Sequence, residues 1–404
     1  MSQRVASLNA EISFARWADR IEPSALQEML SAATKPGILS FALGLPAPEL
    51  FPHDALAQAA SRVLATDARA LQYGPPFQPL KTHVVNLMAR RGVECGEHQI
   101  FLTAGAQQGI NLLTRLLLDP GGIVLTEEFT YTGFQQVIEP YLPEIWPVPT
   151  DAGTGMNVEA VASLLERRAR PAFIYTVTDG HNPLAVNMSL EKRRRLVALA
   201  RRYGVPIIED DPYGFLYYGA QAVPPLRALD PQWVFYVGSF SKILAPSLRA
   251  GWVVVPEELL PKLGIVKEAS DINAAPLTQR IIAAYLDASD IEERLTMLRR
   301  DYGARRRLML DALREYFPAQ AHWEEPSSGI FVWVELDEGV RTDELLRQAI
   351  EQEQVAFIPG NAFSVSGDRG KNCMRLNFSN APPARIEEGI ARLARILHRA
   401  PTRS

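Results

Sequence analysis

The chain has 404 residues, 47% of them apolar and 22% charged, and a formal net charge of −4. This composition is typical of a soluble globular protein, and its slight negative charge gives no general attraction to nucleic acid or to an anionic membrane surface. No apolar run approaches the length of a membrane span, and two cysteines, Cys95 and Cys373, cannot form a disulfide framework, so we expect a cytoplasmic protein.

The middle of the chain alternates short apolar runs with amphipathic ones. In chain order the strand-like runs are IFLTA from Ile100, IVL from Ile123, AFIYTV from Ala172, VPIIEDD from Val205, WVFYVGS from Trp233 and AGWVVVP from Ala250. Helical sequence lies between several of them, as in LEKRRRLVALARRYG. This alternation predicts βαβ units, and therefore an α/β fold with a mostly parallel sheet between layers of helices.

Beyond about Ile291 the pattern changes to long helical stretches, a short strand-like run IFVWVEL and a final amphipathic helix that starts near Pro383. The change predicts a second, smaller α+β domain, as the length of the chain also suggests. We therefore expect an N-terminal segment over residues 1–50 that joins the small domain. A large domain would follow over 51–288 and a small C-terminal domain over 289–404.

Polar residues that are unusual for a core follow four of the strand-like runs. They are Asn182, Asp210 with Tyr213, Ser239 with Ser241 and Lys242, and the turn GAQQG that begins at Gly105. Ligands of open α/β sheets bind where strands end, so we expect these side chains to meet at one site. The six histidines are scattered and no CxxC or HExxH pair occurs, so a metal site is not expected.

Lys242 is one of seven lysines in a chain with thirty-five arginines. An ammonium group loses its proton when it is desolvated, whereas a guanidinium stays charged, so a lysine here is typical of an amine nucleophile. An aldehyde cofactor with a pyridine ring, a phenolic oxygen and a phosphate would use such an amine to form an imine. Asp210 would keep the ring nitrogen protonated, and Asn182 and Tyr213 would donate to the phenolic oxygen.

The phosphate of such a cofactor requires an anion site. Gly105, Ala106 and Gln107 lie where a helix begins, so free N–H groups and the helix dipole face an anion there. Ser239, Ser241 and Arg249 complete this candidate site.

Each residue also has a simpler interpretation. Asp210 and Asn182 precede Pro212 and Pro183 closely enough to be turn residues, the serines suit helix caps, and GAQQG alone is a weak phosphate signal. The joint pattern favours the cofactor site. The arginine runs at 193–195 and 305–307 are interpreted as solvated helix faces rather than nucleic-acid patches.

The run SFSKILAPSLRAGW resembles the S-x-S-K-x-x-x-P-x-x-R-x-G signature of fold type I (class I/II) pyridoxal-phosphate aminotransferases. The similarity is greatest to the subgroup of 2-aminoadipate, kynurenine and aromatic aminotransferases. TAGAQQGI, HNP, IIEDDPYG and MRLNFSN follow in family order, so the resemblance covers nearly the whole chain. It implies a large pyridoxal-phosphate domain, a smaller α+β domain and a homodimer with shared active sites.

Carried onto this chain, the resemblance implies that Lys242 is the imine lysine and proton shuttle, assisted by Asp210 and Tyr213. Tyr131 would stack on the cofactor ring. The phosphate would be held by Ala106, Gln107, Ser239, Ser241 and Arg249, with Tyr73 reaching it from the partner subunit.

On the substrate side, the resemblance implies that Arg375 binds the α-carboxylate, near Asn182 and Gly44. Arg20 matches a position that meets an acidic substrate side chain in some relatives. The chain departs from the family pattern at Leu43, Phe129, Leu184 and Ala185, which indicates a specialised substrate.

The expected activity is ping-pong transfer of an amino group from an aromatic, 2-aminoadipate-like or branched L-amino acid to a 2-oxo acid such as 2-oxoglutarate. Decarboxylation, elimination or oxidation on the same fold, in specialised biosynthesis, remains an alternative. A pyridoxal-phosphate-sensing regulator is less favoured, because the pattern begins near Arg20 and leaves no room for a preceding DNA-binding domain.

Overall fold

The computed structural model describes residues 13–20, 36–151, 153–167, 170–219 and 222–399. Its strands are β1 (Leu39–Ser40), β2 (Ile100–Thr103), β3 (Ile123–Glu127), β4 (Glu144–Val148), β5 (Thr150–Asp151), β6 (Gly155–Met156), β7 (Phe173–Thr176), β8 (Ile207–Asp210), β9 (Val234–Ser239), β10 (Gly251–Val254), β11 (His322–Trp323), β12 (Phe331–Glu335), β13 (Val355–Ala356), β14 (Ile358–Pro359) and β15 (Cys373–Asn377).

The α-helices are α1 (His53–Thr66), α2 (Gln78–Arg90), α3 (Ala106–Leu117), α4 (Thr132–Ile138), α5 (Val158–Glu166), α6 (Leu190–Tyr203), α7 (Leu226–Leu229), α8 (Leu260–Asp271), α9 (Pro276–Ala288), α10 (Ile291–Tyr316), α11 (Thr342–Gln348) and α12 (Pro383–Arg399). No helix within the described ranges is long and apolar enough to cross a membrane.

The central sheet has seven strands in the order β2-β10-β9-β8-β7-β3-β4. All of its pairs are parallel except the two made by β10, which runs against both β2 and β9. The carboxyl ends of β2, β9, β8, β7 and β3 therefore lie along one edge, which is where ligands bind in such sheets.

Both faces of this sheet are buried. Side chains alternate across each strand, so every strand presents residues to both faces. On β10, Trp252 packs with Ala59 of α1 and Val84 of α2, whereas Val253 packs on the other face with Ile110 of α3. Apolar residues thus occupy both faces of the same strands, which requires helices on both sides. The predicted α/β fold with a mostly parallel sheet is confirmed.

A second sheet in the order β11-β12-β15-β14 lies in the C-terminal part of the chain, together with α10 and α12. Near the N-terminus, β1 pairs with β13, and the Phe41 carbonyl accepts from the Asn377 N–H at 2.8 Å. Residues 39–41 are thereby attached to this C-terminal unit.

The prediction that the arginine runs form solvated faces is wrong for two of their members. Arg193 and Arg305 are buried, with 0% and 2% of their surfaces exposed. Arg193 pairs with Asp179 at 2.7 Å, and Arg305 pairs with Asp301 and Glu49. A guanidinium carries five donors, and here backbone carbonyls and carboxylates offset the cost of its burial.

Candidate active site

A cavity of about 370 Å³ opens at the carboxyl edge of the central sheet. The residues that line it come from strand ends, from the starts of α3 and α4 and from the C-terminal unit. They include Leu43, Gly44, Ala106, Gln107, Tyr131, Asn182, Asp210, Tyr213, Ser239, Ser241, Lys242, Arg249, Ile358, Phe363 and Arg375. The structure therefore brings together most of the side chains that the sequence analysis selected.

Lys242 lies three residues beyond the end of β9 and projects into the cavity. Its Nζ donates a hydrogen bond to the Gly44 carbonyl. Burial, together with the charges of Arg375 and Arg249, lowers the pKa of Lys242 from 10.5 to about 8. A substantial fraction of this amine is therefore neutral near physiological pH.

Asp210 ends β8, and its two carboxyl oxygens have different environments. Oδ2 accepts a hydrogen bond from the Tyr175 hydroxyl at 2.8 Å, whereas Oδ1 is buried without a hydrogen-bond partner. The pKa of Asp210 is raised to about 7, because burial and the charge of Asp211 outweigh the opposing effect of the Tyr175 hydroxyl. A positive N–H placed at Oδ1 would satisfy the oxygen and favour the carboxylate.

Arg375 comes from β15 and is 4% exposed. Its guanidinium lies over the rings of Phe331 and Phe363, with the central carbon 4.1 Å and 4.7 Å from their centroids. Nη1 donates to Asn182 Oδ1 and Nη2 to the Ala42 carbonyl, both at 2.6 Å, while Nε has no partner. Burial lowers its pKa to about 10, so the group stays positive at neutral pH and attracts carboxylates.

An anion cradle lies where β2 meets α3. Gly105 caps the helix with φ of 88°, and no side chain bonds the free N–H groups at its start. A Cβ on Gly105 would lie 2.7 Å from Arg249 Nη2, so only glycine allows the arginine this close. Ser239 and Ser241 also line the cavity, and the Ser239 hydroxyl donates to that of Ser241 at 2.9 Å. Hydroxyls, helix N–H groups and a guanidinium are a donor set for phosphate.

Two tyrosines and an amide complete the cavity. Tyr213 and Asn182 are 3% and 6% exposed, and Arg375 fixes the orientation of Asn182 by occupying its oxygen. The amide N–H₂ of Asn182 is therefore the group left to act as a donor. Tyr131 immediately precedes α4, and burial raises its pKa, as it does for Tyr213, so both keep their protons at neutral pH.

Three predicted site residues are not among the described residues that line the cavity. Tyr73 is 74% exposed and does not line the cavity of its own chain. The Arg20 side chain lies outside the described residues. Gly105 does not line the cavity, but it lies close to the Arg249 guanidinium, which does.

The departures from the family pattern fall in different places. Leu43 lines the cavity, whereas Phe129 and Leu184 border a separate cavity of about 510 Å³. Ala185 adopts φ of 59°, in the left-handed region that favours glycine. The backbone at Ala185 is therefore strained.

Sequence reasoning missed three contributors: Tyr175, Phe331 and Phe363. Phe331 and Phe363 have no chemical signature, since apolar residues in a C-terminal strand and loop are expected in any core. Tyr175 carries a weak signal, because it is a polar-tipped residue in an otherwise buried strand.

Comparison with known proteins agrees with this geometry. A family model described as aminotransferase class I and II matches residues 42–393. Aromatic-amino-acid aminotransferase 1 of Thermococcus litoralis is 36% identical over 397 residues, which cover 96% of this chain and 94% of that protein.

Two solved structures are similar over nearly the whole chain. Kynurenine aminotransferase of Pyrococcus horikoshii superposes with a TM-score of 0.92 at 34% identity, covering 99% of this chain and 100% of that one. The α-aminoadipate aminotransferase of Thermus thermophilus, complexed with N-(5'-phosphopyridoxyl)-L-leucine, gives 0.88 at 36%, covering 95% and 97%. The chain belongs to the class I and II aminotransferases and is a pyridoxal-phosphate-dependent enzyme of that family.

Proposed function

We propose that this aminotransferase takes the amino group from an L-amino acid with an apolar, preferably aromatic, side chain and passes it to a 2-oxo acid. The observation that supports this most directly is one cavity with a partly neutral lysine, a carboxyl oxygen without a partner and a buried arginine. These are the groups that amino-group transfer on this cofactor requires.

The residues present fit pyridoxal phosphate. The N–H groups of Ala106 and Gln107, with Ser239, Ser241 and Arg249, would hold its phosphate. Asp210 would accept from the ring N–H through Oδ1, Asn182 and Tyr213 would donate to the phenolic oxygen, Tyr131 would cover the ring face, and Lys242 would attach the cofactor covalently. When bound, the cofactor withdraws the electron pair that remains after a bond to the substrate Cα is broken.

Arg375 would orient the substrate by its α-carboxylate. The arginine is held by Asn182, by the Ala42 carbonyl and by two aromatic rings, so it is fixed before substrate arrives. Lys242, with its pKa lowered to about 8, is the base that removes the proton from the substrate Cα. The neutral amine needed for that step is already populated at neutral pH.

The wall of the cavity that remains for the substrate side chain is apolar. Leu43, Ile358, Ala362 and Phe363 line it. Among the described lining residues, the charged groups are Lys242, Asp210, Arg249 and Arg375. All four are already assigned to cofactor or α-carboxylate. This wall suits the aromatic substrates named for the relatives better than a 2-aminoadipate-like one.

We infer that the active enzyme is a homodimer in which Tyr73 serves the partner's cavity. Tyr73 and the nearby Leu71 are 74% and 77% exposed, which is costly for large apolar surfaces that stay in water. Coverage of this surface by a second subunit would bury both.

A substrate panel tests the proposal. The purified chain, loaded with pyridoxal phosphate, is given 2-oxoglutarate and L-phenylalanine, L-tyrosine, L-leucine or L-2-aminoadipate, and glutamate is measured. We expect the highest kcat/KM with the aromatic donors. Borohydride reduction followed by mass spectrometry should place the cofactor on Lys242, and Lys242→Ala should lose both the attachment and turnover.

The matched control is Lys262→Ala, which removes a lysine outside the described lining of the cavity. It should leave attachment and turnover unchanged. Substantial turnover by Lys242→Ala would remove the assigned role of Lys242, whereas a clear preference for 2-aminoadipate would contradict the apolar substrate class.

A further inference from the structure

Tyr175 is a buried side chain that does not itself line the cavity. It lies on β7 and is fully buried. Its hydroxyl donates to Asp210 Oδ2 at 2.8 Å from the neighbouring strand β8. A hydrogen bond between a neutral donor and a buried carboxylate is among the stronger ones in proteins, because the acceptor is charged.

This bond determines which carboxyl oxygen faces the cavity. Oδ2 is occupied by Tyr175, and Oδ1 is the buried oxygen without a partner on a residue that lines the cavity. Since the carboxyl group is planar, holding one oxygen fixes the direction in which the other accepts. Oδ1 is therefore presented to whatever N–H enters the cavity.

The ring of Tyr175 is itself fixed. It stacks on Phe134 of α4 with ring centroids 3.7 Å apart and planes 4° from parallel. The Phe134 N–H in turn donates to the Tyr131 carbonyl at 3.0 Å. The hydroxyl of Tyr175 therefore has little freedom to turn away, and its ring connects the acid to the helix that starts beside Tyr131.

We propose that Tyr175 is the positioning residue of Asp210: its hydroxyl holds Oδ2 so that Oδ1 accepts from the cofactor ring nitrogen. The inference rests on the cofactor site proposed above. Without the hydroxyl, the carboxyl would keep its place in the chain but lose both its orientation and the donor that stabilises its charge.

The surrounding charges agree with this role. Asp211, next in the chain, opposes ionisation of Asp210, and Tyr131 and Tyr213 also face it. Tyr175 is the side chain that lowers the pKa of Asp210 against the effect of burial. The pKa of Tyr175 is raised well above 10, mainly by burial, so it remains a donor at every working pH.

The test separates this bond from general support of the fold. The full chain, freed of cofactor, is titrated with pyridoxine 5'-phosphate and with its 1-deaza analogue, in which carbon replaces the ring nitrogen. Neither ligand carries an aldehyde, so attachment to Lys242 does not contribute. We expect the wild-type chain to bind the pyridine ligand more tightly than the deaza ligand. In Tyr175→Phe the ratio of the two affinities should fall about tenfold, while the affinity for the deaza ligand should equal that of the wild type.

Tyr236→Phe is the matched control. Tyr236 is also fully buried on a neighbouring strand, and its hydroxyl donates to Asp211 Oδ2 at 2.9 Å. Asp211 pairs with Arg91 and does not line the cavity. The control thus removes the same group from the adjacent carboxylate and should leave the preference between the two ligands unchanged.

A second readout is the pH profile of kcat. Loss of the Tyr175 donor raises the pKa of Asp210. The increase of kcat with pH that accompanies deprotonation of Asp210 should therefore shift to higher pH in Tyr175→Phe but not in Tyr236→Phe. An equal loss of affinity for both ligands, or the same change in Tyr236→Phe, would show Tyr175 to be merely structural and overturn the proposal. Failure of the wild-type chain to bind either ligand would instead remove the cofactor site, and the inference with it.

Discussion

Asp210 shows how one side chain can be buried and still require a charge. Burial raises its pKa to about 7, and its Oδ1 has no hydrogen-bond partner within the described part of the chain. A protonated ring nitrogen at that oxygen would supply the missing donor and restore the carboxylate. The charge of Asp210 is therefore coupled to occupancy of the site.

Replacement of Asp210 by alanine should lower kcat by at least about 100-fold, because one well-placed electrostatic partner of the developing charge is lost. The phosphate cradle is untouched, so cofactor should still bind. Steady-state kinetics together with the cofactor content of the purified variant measure the two effects. A kcat equal to that of the wild type would show that the carboxylate does not support the reaction.

The lowered pKa of Lys242 predicts how the rate of cofactor attachment depends on pH. The neutral amine is the nucleophile, and its fraction rises with pH until the pKa of about 8 is passed. The rate at which pyridoxal phosphate attaches to the cofactor-free chain should therefore rise about tenfold per pH unit below 8 and level off above it. Stopped-flow absorbance measures this rate. A rise that continues to pH 10 would place the pKa near the ordinary lysine value of 10.5.

At the scale of single residues, the reactive side chains could be predicted from the sequence, whereas the residues that position them could not. Lys242, Asp210 and Arg375 have functional groups that few structural roles demand, so order and spacing identified them. Tyr175 and Phe363 act through orientation and contact. Those properties depend on strand pairing and on packing between different elements of the fold, such as the pairing of Tyr175 with Asp210 across 35 positions of sequence, which periodicity does not encode.

Among the elements, the start of α3 is the one whose geometry depends most on a single residue. Gly105 combines positive φ with a close approach to Arg249. Gly105→Ala should weaken pyridoxal phosphate binding by tenfold or more, since the new Cβ would displace the arginine from the phosphate site. Equilibrium titration followed by fluorescence quenching measures this.

Gly92→Ala is the control for backbone strain. Gly92 has φ of 76°, but a Cβ there would meet nothing within 4 Å. Gly92→Ala should lose about 1 kcal/mol of unfolding free energy from the left-handed conformation. Gly105→Ala should lose at least as much, because Gly105, with φ of 88° and ψ of 169°, lies in a backbone region nearly restricted to glycine. Only Gly105→Ala should lose cofactor affinity, and an equal loss in both would remove the role assigned to the cradle.

The order and type of the elements followed from the sequence, because apolar runs bounded by turns give strong signals for strands. The prediction of solvated helix faces is wrong for Arg193 and Arg305 because charge alone does not distinguish a solvated guanidinium from one that bonds buried carbonyls. Arg193 reaches the Met188 and Thr178 carbonyls, and the sequence does not show that these groups lie within its reach.

At the scale of the whole molecule, the division at residues 50 and 288 stays a prediction. The pairing of β1 with β13 and the bond from Asn377 to Phe41 support attachment of the N-terminal segment to the C-terminal unit. The cavity draws its lining from both parts of the chain, since Asp210 and Arg375 come from different sheets.

A subunit-mixing experiment tests the proposed homodimer. Lys242→Ala should be inactive, and Tyr73→Ala should bind cofactor weakly because one phosphate contact is missing. In a mixed dimer, one cavity would combine the intact Lys242 of one subunit with the intact Tyr73 of the other. Equal mixtures that exchange subunits should recover about a quarter of wild-type activity at limiting cofactor.

The two variants measured separately are the reference for that mixture. Activity equal to the sum of the separate preparations, after exchange has been verified by differential labelling, would contradict a shared site. Recovery would establish both the assembly and the contribution of Tyr73 to the neighbouring cavity.

Two backbone carbonyls in residues 42–45 are bonded to functional side chains of the cavity. The Ala42 carbonyl accepts from Arg375, and the Gly44 carbonyl accepts from Lys242. A carboxylate arriving at the arginine and an aldehyde arriving at the amine compete with these same two carbonyls. Ligand arrival would therefore change the hydrogen bonding of this backbone, and we expect a spectroscopic probe at the exposed Leu45 to report it.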